Sequence, residues 1–252
     1  MIEEEWFESW FDTSYYHILY NSRDTEEAAL FIDSLFEHFH PEKGSKLLDI
    51  ACGKGRHARH MSEKGFDTTG IDLSSSSIEY AKQYENENLH FVRHDMRKPF
   101  QHEAFDYAFN LFTSFGYFQT FEEHISALKA FNDSLKPGGI LVLDFFNSVK
   151  IIKELILLEI KEEKGITFTI TKELKERKII KKIEFFDENK KHVYLEKVFA
   201  FFLSDFCKMM EESNFKIIDR FGDYNFHEFN EDVSPRLILI CQKEHARTNH
   251  PL

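Results

Sequence analysis

The sequence predicts an α/β protein, a doubly wound and mostly parallel sheet with helices on both faces. Three observations predict it. Lys46 to Leu73 (KLLDIACGKGRHARHMSEKGFDTTGIDL) reads as a strand, a glycine turn, a helix and a second strand ending in an acid. Strand and helix patterns then alternate as far as Asp144, as they do where helices cover both faces of a parallel sheet. After Asn147 the pattern changes to β-rich runs, which marks off an antiparallel insert of about 50 residues.

Residues 1 to about 40 read as helical. Trp6, Phe7, Trp10 and Phe11 recur at helical spacing, and Ala28, Phe31, Ile32, Leu35, Phe36 and Phe39 form a second amphipathic face. Leu47–Ile50, Thr68–Ile71, Leu89–Val92, Tyr107–Leu111 and Ile140–Asp144 are the core strands. Arg56 to Lys64 is a helix stopped by Gly65, Ser74–Tyr84 is a helix opening on a serine run suited to capping, and Glu122–Leu135 is a third. Ile151 to Glu163 begins as helix. Ile166–Leu174, Ile179–Phe186 and His192–Phe202 read as strands, with Asp187-Glu188-Asn189-Lys190 as a turn. Helix Ser204–Ser213, capped by Ser204, returns the chain to the core. Phe215–Phe221 and Arg236–Gln242 supply the last two strands around a long loop.

At 252 residues and 42% hydrophobic, the chain can bury one substantial core plus a small appendage. Its 28 Phe are read first as packing residues. A formal charge of −12 and a pI of about 5.6 disfavour nucleic acid as a partner, because neutralising phosphates calls for a basic face. The dense basic run Lys172 to Lys182 is offset by Glu173, Glu176 and Glu184, and reads as the solvated face of a strand pair. Cys52, Cys207 and Cys241 are too scattered for a disulfide framework. His57 with His60, and His90 with His94, have spacings that suit a metal, but no ligand set completes a shell, so no metal is expected. The start, MIEEEWFESWF, lacks the basic and apolar regions of a signal peptide. No apolar run approaches the roughly 18 residues that span a bilayer. The expectation is a cytoplasmic protein with no membrane partner.

Gly53-Lys54-Gly55 lets the backbone turn tightly, and Asp72 stands at the tip of the second strand, 19 residues beyond Gly53. Helix-terminus N–H groups on one side and a carboxylate for ribose hydroxyls on the other make a nucleotide cradle. Gly53-x-Gly55-x-x-Ala58 also satisfies the dinucleotide fingerprint, so the glycines leave the nucleotide open. Asp49 decides. Near the carboxyl end of the first strand it faces the cradle and would repel a pyrophosphate by roughly 3 kcal/mol per charge pair, at about 6 Å and an effective dielectric of 20. A ligand with an ammonium and a sulfonium is attracted instead. S-adenosylmethionine has both, together with an adenosine whose ribose suits Asp72.

On these residues the chain resembles the class I S-adenosylmethionine-dependent methyltransferases, in the bacterial small-molecule-type branch with a β insertion after strand five. LLDIACGKGRHA resembles their glycine-rich first motif, GIDLS the second-strand acid, and FVRHDMR (Phe91 to Arg97) the loop whose acid meets adenine. FDYAFNLFTSFGYF (Phe105 to Phe118) resembles the fourth strand and its sequel, and LKPGGILVLDFFN (Leu135 to Asn147) the turn and fifth strand. The resemblance implies a Rossmann-like seven-stranded sheet, mostly parallel with the last strand antiparallel, plus N-terminal helices and a small antiparallel β insert. It divides the chain into a helical lid segment (1–40), the cofactor-binding core (41–150), the insert (151–203) and the C-terminal part of the core (204–252).

The resemblance also implies roles. Asp49, Gly53 and Gly55 hold the methionine end, and Asp72 the ribose hydroxyls. Leu73 flanks adenine, Asp95 accepts from its exocyclic amine, and the Met96 backbone meets the ring edge. Asn110 approaches the methionine ammonium through its carbonyl. Ala51, Arg56 and Phe112 complete the cofactor set, and Tyr15, Tyr16, Tyr20 and Arg23 are lid candidates. Methyl transfer from a sulfonium needs alignment, exclusion of water and at most a proton acceptor, so no catalytic signature is expected. His17, Tyr117, Asn147 and His227 are the candidate bases or acceptor ligands, and Asp223-Tyr224 lies in the loop that carries His227. The implied activity methylates a small-molecule acceptor and releases S-adenosylhomocysteine, from a monomer or a homodimer formed through the insert. A nicotinamide-dependent oxidoreductase is the first rival, opposed by Asp49 and Pro137-Gly138-Gly139. A non-catalytic S-adenosylmethionine-binding scaffold is the second.

Overall fold

The structure is a computed structural model that describes residues 6–20 and 25–244. Helices α1 (Trp6–Phe11), α2 (Ser14–Leu19) and α3 (Thr25–Phe39) precede the core. The core runs β1 (Lys46–Ile50), α4 (Arg56–Glu63), β2 (Asp67–Asp72), α5 (Ser75–Lys82), β3 (Leu89–Arg93), β4 (Phe105–Asn110), α6 (Phe121–Ser134) and β5 (Leu135–Phe146). After α7 (Ser148–Lys153) come β6 (Leu158–Glu163), β7 (Ile166–Lys175), β8 (Lys178–Asp187) and β9 (Lys190–Phe199). Helix α8 (Leu203–Glu212), β10 (Phe215–Phe221) and β11 (Arg236–Lys243) finish the described chain.

The main sheet has the order β10-β11-β5-β4-β1-β2-β3. β1 pairs in parallel with β2 and β4, and β11 runs antiparallel to both β5 and β10. The expected seven-stranded, mostly parallel sheet is present. Strands covered on both faces read as continuous apolar runs, and neighbouring residues then face opposite layers. Leu47, Phe109, Val142 and Ile238 pack with Phe31, Ile32 and Leu35 of α3 and Met61 of α4. Their neighbours Leu48, Ala108, Leu141 and Leu239 pack with Leu128 and Phe131 of α6 and Phe206 and Met210 of α8. Strand order reverses between β1 and β4, which opens a crevice outside the carboxyl ends of the strands.

The insert is a four-stranded antiparallel sheet, β6-β7-β8-β9. Its three turns, Lys164-Gly165, Glu176-Arg177 and Glu188-Asn189, each hold both central residues at positive φ, the two-residue connection that matches strand twist. Ile151 to Glu163 begins as helix, as expected, up to Lys153, and Leu158 to Glu163 then pairs residue by residue with Thr171 to Ile166 as strand β6. One expectation is corrected. Ser204 is not a cap. Helix α8 starts at Leu203, and the Asp205 carboxylate accepts the Phe202 N–H at 2.8 Å, so an acid in the first turn takes that role.

The inner face of the insert (Phe168, Ile170, Ile183, Phe185) forms a small core with Trp10 of α1 and Leu19 of α2. Polar contacts fix the same junction. Trp10 Nε1 and the Tyr20 hydroxyl donate to Glu196 at 2.8 and 2.7 Å, and Lys161 Nζ donates to the Leu19 carbonyl at 2.9 Å. Asp12, between α1 and α2, accepts from the Ser74 and Ser76 hydroxyls at 2.7 Å each. The N-terminal helices are thus tied to both the insert and the tip of β2.

The two glycines of the turn after β1 differ in what surrounds them. A Cβ on Gly55, at φ 78°, would lie 2.4 Å from the Phe91 ring, whereas one on Gly53 would meet nothing within 4 Å. Gly55→Ala should therefore cost about 3 kcal/mol, from overpacking plus the left-handed backbone, and Gly53→Ala about 1 kcal/mol from the backbone alone. Urea unfolding of the two variants checks this, and equal midpoints would contradict it.

Candidate functional site

A cavity of about 720 Å³ opens at the carboxyl ends of β1, β2 and β4, within the size range of small-molecule sites. Asp49, Ala51, Gly53 and Arg56 line it from β1 and the turn that follows, and Asp72 and Leu73 from the tip of β2. Asp95 and Met96 contribute from the loop after β3, and Leu111, Phe112, Ser114 and Tyr117 from the loop after β4. Phe7, Phe11, Tyr16, His17 and Tyr20 of the N-terminal segment roof it, and Lys164 reaches it from the first turn of the insert.

The floor is built on two carboxyl groups. Asp72 accepts the Gly53 N–H at 2.8 Å on one oxygen and the Ser74 N–H at 2.8 Å on the other, which locks the tip of β2 to the glycine turn. Asp49 is 1% exposed and accepts the Ala58 N–H of the first turn of α4 at 3.1 Å. Burial pushes the Asp49 carboxyl up to about 7, against the opposing pull of the Ala58 N–H and the Arg56 guanidinium, with Asp72 adding to the rise. Burial also raises Asp72, although three backbone N–H groups favour its ionised form. Two acids with heightened proton affinity at the floor make a site that a cation relieves.

Asp95 is held differently. Burial works against its charge, but the Arg97 side chain and backbone N–H keep its carboxyl below the usual carboxylate range. Arg97 forks onto both Asp95 oxygens at 2.8 to 3.1 Å and reaches Glu123 of α6 at 3.3 Å. In the roof, burial and nearby Lys54 bring the His17 imidazole down to about 4, so it is neutral near pH 7. Its Nε2 is buried and has no hydrogen-bond partner among the described residues. The Tyr117 hydroxyl donates to the Thr113 carbonyl at 2.6 Å.

Most of the residues singled out in the sequence line this cavity: Tyr16, His17, Tyr20, Asp49, Ala51, Gly53, Arg56, Asp72, Leu73, Asp95, Met96, Phe112 and Tyr117. Others do not. The Tyr15 hydroxyl donates to Asp187 at 2.7 Å and its ring packs on Phe185 and His192 of the insert. Asn147 caps α7 through Val149 and donates to the Glu231 and Ser234 carbonyls, so it is a buried brace. His227 is exposed and bonded to Asp223 at 2.8 Å. None of these three lines the cavity, and each bonds to a partner that does not line it either. Gly55 caps α4 from behind the turn, and the Asn110 amide donates to the Ile50 carbonyl at 3.2 Å inside the sheet. Arg23 lies outside the described residues. Among the described residues no group of three or more His, Cys, Asp or Glu is arranged to hold a metal ion, and no helix is long and apolar enough to cross a membrane.

One acid that matters escaped the sequence reading. Asp144 of β5 is fully buried and pairs with Arg236 at 2.7 Å. It also accepts the Phe112 N–H at 2.7 Å and the Tyr224 hydroxyl at 3.1 Å, while Arg236 donates to the Thr113 hydroxyl at 2.9 Å. Phe112 and Thr113 stand at φ 55° and 59°, a costly conformation for an aromatic and a β-branched residue. The ion pair holds that turn, and the turn presents the Phe112 ring beneath the Arg56 guanidinium, 4.4 Å away. A charged residue inside the apolar run LVLDFF was the available signal.

Comparison with known proteins agrees with this geometry. The sequence family described as "Methyltransferase domain" matches residues 20–220. A dTDP-3-amino-3,4,6-trideoxy-alpha-D-glucopyranose N,N-dimethyltransferase of Streptomyces venezuelae is 35% identical over 132 residues, 51% of this chain and 54% of that protein. A demethylmenaquinone methyltransferase of Staphylococcus haemolyticus is 31% identical over 136 residues, 52% of this chain and 55% of that protein. The chain spans about half the length of the curated relatives it matches. The crystal structure of an S-adenosylmethionine-dependent methyltransferase from Clostridium acetobutylicum shares the fold, with a TM-score of 0.78 over 92% of this chain and 96% of that one at 18% identity.

Two outcomes follow from the buried acids. Asp144→Asn leaves Arg236 without its counter-charge and should cost about 3 to 5 kcal/mol in chemical denaturation; a loss under 1 kcal/mol would show that the ion pair is not needed. Asp49 has a raised carboxyl pKa, so the stability it contributes is fully present below the unfolded value of 3.8 and is lost as pH rises through about 7. Asp49→Asn should therefore have a higher thermal midpoint than the parent at pH 8, by a margin that shrinks towards pH 5. A margin independent of pH would refute the assignment.

Proposed function

This chain belongs to the class I S-adenosylmethionine-dependent methyltransferases, and from that premise we propose that it methylates a small-molecule acceptor. One observation carries the reading: the buried Asp49 and the half-buried Asp72, set on either side of the glycine turn at the cavity floor. In this reading Asp49, with Gly53 and Arg56, receives the methionine end, and Asp72 the ribose hydroxyls. Leu73 and Met96 flank adenine, and Asp95, kept ionised by Arg97, accepts from its amine. The space that a Cβ on Gly53 would enter is free of protein atoms, as a close-fitting ligand requires. When bound, S-adenosylmethionine supplies a methyl group already activated on a sulfonium.

The chain's own residues then align, shield and take up a proton. Phe7, Phe11 and Tyr16 in the roof exclude water from the floor. His17, which lines the same cavity, is neutral near pH 7, and its buried Nε2 has no hydrogen-bond partner among the described residues, so it is the roof group proposed to take up a proton if the Nε2 becomes accessible to the acceptor. The net charge of −12 supports a small molecule over nucleic acid. The relatives named above act on an amino sugar nucleotide and on demethylmenaquinone, both small molecules of very different shape.

Asp72→Ala should weaken S-adenosylhomocysteine binding at least tenfold in calorimetry, and Asp72→Asn, which keeps an oxygen for the Gly53 N–H, should weaken it less. Unchanged affinity would remove the ribose assignment, and NAD binding in place of S-adenosylhomocysteine would return the site to an oxidoreductase. A labelled methyl donor incubated with metabolite extract identifies the acceptor as the compound that gains label.

A further inference from the structure

Two lysines from different parts of the chain, Lys54 and Lys164, line the same cavity. Lys54 projects from the glycine turn, and its Nζ lies 5.0 Å over the Tyr80 ring of α5. Lys164 enters from the rigid two-residue turn between β6 and β7. Among the described residues neither ammonium forms an ion pair. Of the nearby acids, Glu163 pairs with Lys161 at 3.0 Å, while Asp12, Asp49 and Asp72, which line the same cavity, are hydrogen-bonded to hydroxyl or backbone N–H donors and not to either lysine. The pair repels itself, since Lys164 contributes, after burial, to a lowered affinity of Lys54 for its proton. In a chain of net charge −12, two lysines that line one cavity and form no ion pair among the described residues stand out.

The cofactor's own carboxylate is the first anion to consider. Arg56 stands in the first turn of α4, close enough to Asp49 to lower its proton affinity, so a cation already serves the methionine end. Lys54 turns the other way, towards α5. We propose that Lys54 and Lys164 form a separate subsite that seats an anionic group, a phosphate or a carboxylate, carried by the methyl acceptor. The subsite rests on the methyltransferase reading and narrows it: the acceptor is an anion whose charged end lies at the cavity mouth under the insert. The insert thereby contributes to acceptor choice through one residue of its first turn.

Inorganic pyrophosphate and succinate, titrated calorimetrically into protein saturated with S-adenosylhomocysteine, test this. One of the two should bind, naming phosphate or carboxylate as the chemistry. Lys164→Met should weaken that binding at least tenfold and Lys164→Arg should restore it, with S-adenosylhomocysteine affinity within twofold of the parent in both. Lys164 is exposed on a surface turn, and the retained S-adenosylhomocysteine affinity itself reports the fold. Binding of neither anion, or equal binding to Lys164→Met, overturns the subsite. Displacement of S-adenosylhomocysteine by the anion also overturns it and gives the lysines to the cofactor's carboxylate. Failure of S-adenosylhomocysteine to bind at all removes the methyltransferase reading, and the subsite with it.

Discussion

Holding two carboxyl groups, Asp49 buried and Asp72 half-buried, where β1 and β2 end is the constraint around which the rest of this molecule is arranged. A lone acid in such a place would cost several kcal/mol if it stayed charged. Here the cost is moderated from three directions. The tight turn after β1 brings the Gly53 N–H onto Asp72, the first turn of α4 brings the Ala58 N–H onto Asp49, and the cap of α5 brings the Ser74 N–H back to Asp72. All three donors exist only if the strands end at the same level, which the parallel register of β1 with β2 enforces, Asp49 opposite Gly70 and Ile50 opposite Ile71. Moving either strand by one residue would point its acid into an apolar layer.

The roof depends on the insert in the same way that the floor depends on the register. Helices α1 and α2 are six residues each, too short to hold their shape alone. They are fixed by packing on the inner face of β7 and β8 and by Glu196, which collects Trp10, Tyr20 and Lys181. Asp12 then ties the same helices to Ser74, two residues beyond Asp72. A roof joined to both walls covers the cavity, and Lys164 of the β6–β7 turn lines it as well. That linkage explains why a sheet lying outside the cofactor-binding core nonetheless contributes a side chain to the cavity.

What the sequence revealed and what it concealed divide along one physical line. Leu47, Leu48 and Ile50, or Leu141 and Leu143, announce strands because burial on both faces removes polar residues locally. Asp49 and Asp72 stand out for the same reason, as acids at the ends of apolar runs. Strand β6 was missed because its apolar side chains, Leu158 and Ile160, face outward at 57% and 68% exposure and its existence depends on pairing with β7. The bracing contacts of Asn147 and Asp144 were not legible because their partners lie 84 to 92 residues away, at Glu231, Ser234 and Arg236. A side chain whose role is to satisfy a distant group carries no local mark of it.

The two buried acids Asp49 and Asp144 separate structural from ligand-directed charge. Both sit near the carboxyl ends of neighbouring parts of one sheet, and both are essentially without solvent. Asp144 has a full resident counter-charge in Arg236, further fixed by Thr113, and its surroundings are closed by Tyr224. Asp49 has one backbone N–H and opens on a cavity. If Asp49 served only the fold, a guanidinium like that of Arg236, or an apolar residue of similar volume, would be the more stable solution. Retaining an acid whose charge is only partly offset makes sense where the missing positive charge arrives with a ligand and leaves with it. The same reasoning in opposite sign applies to Lys54 and Lys164, which line the cavity and form no ion pair among the described residues. On the reading proposed above, an acid-lined floor and a pair of lysines in one cavity would suit a cationic cofactor and an anionic acceptor.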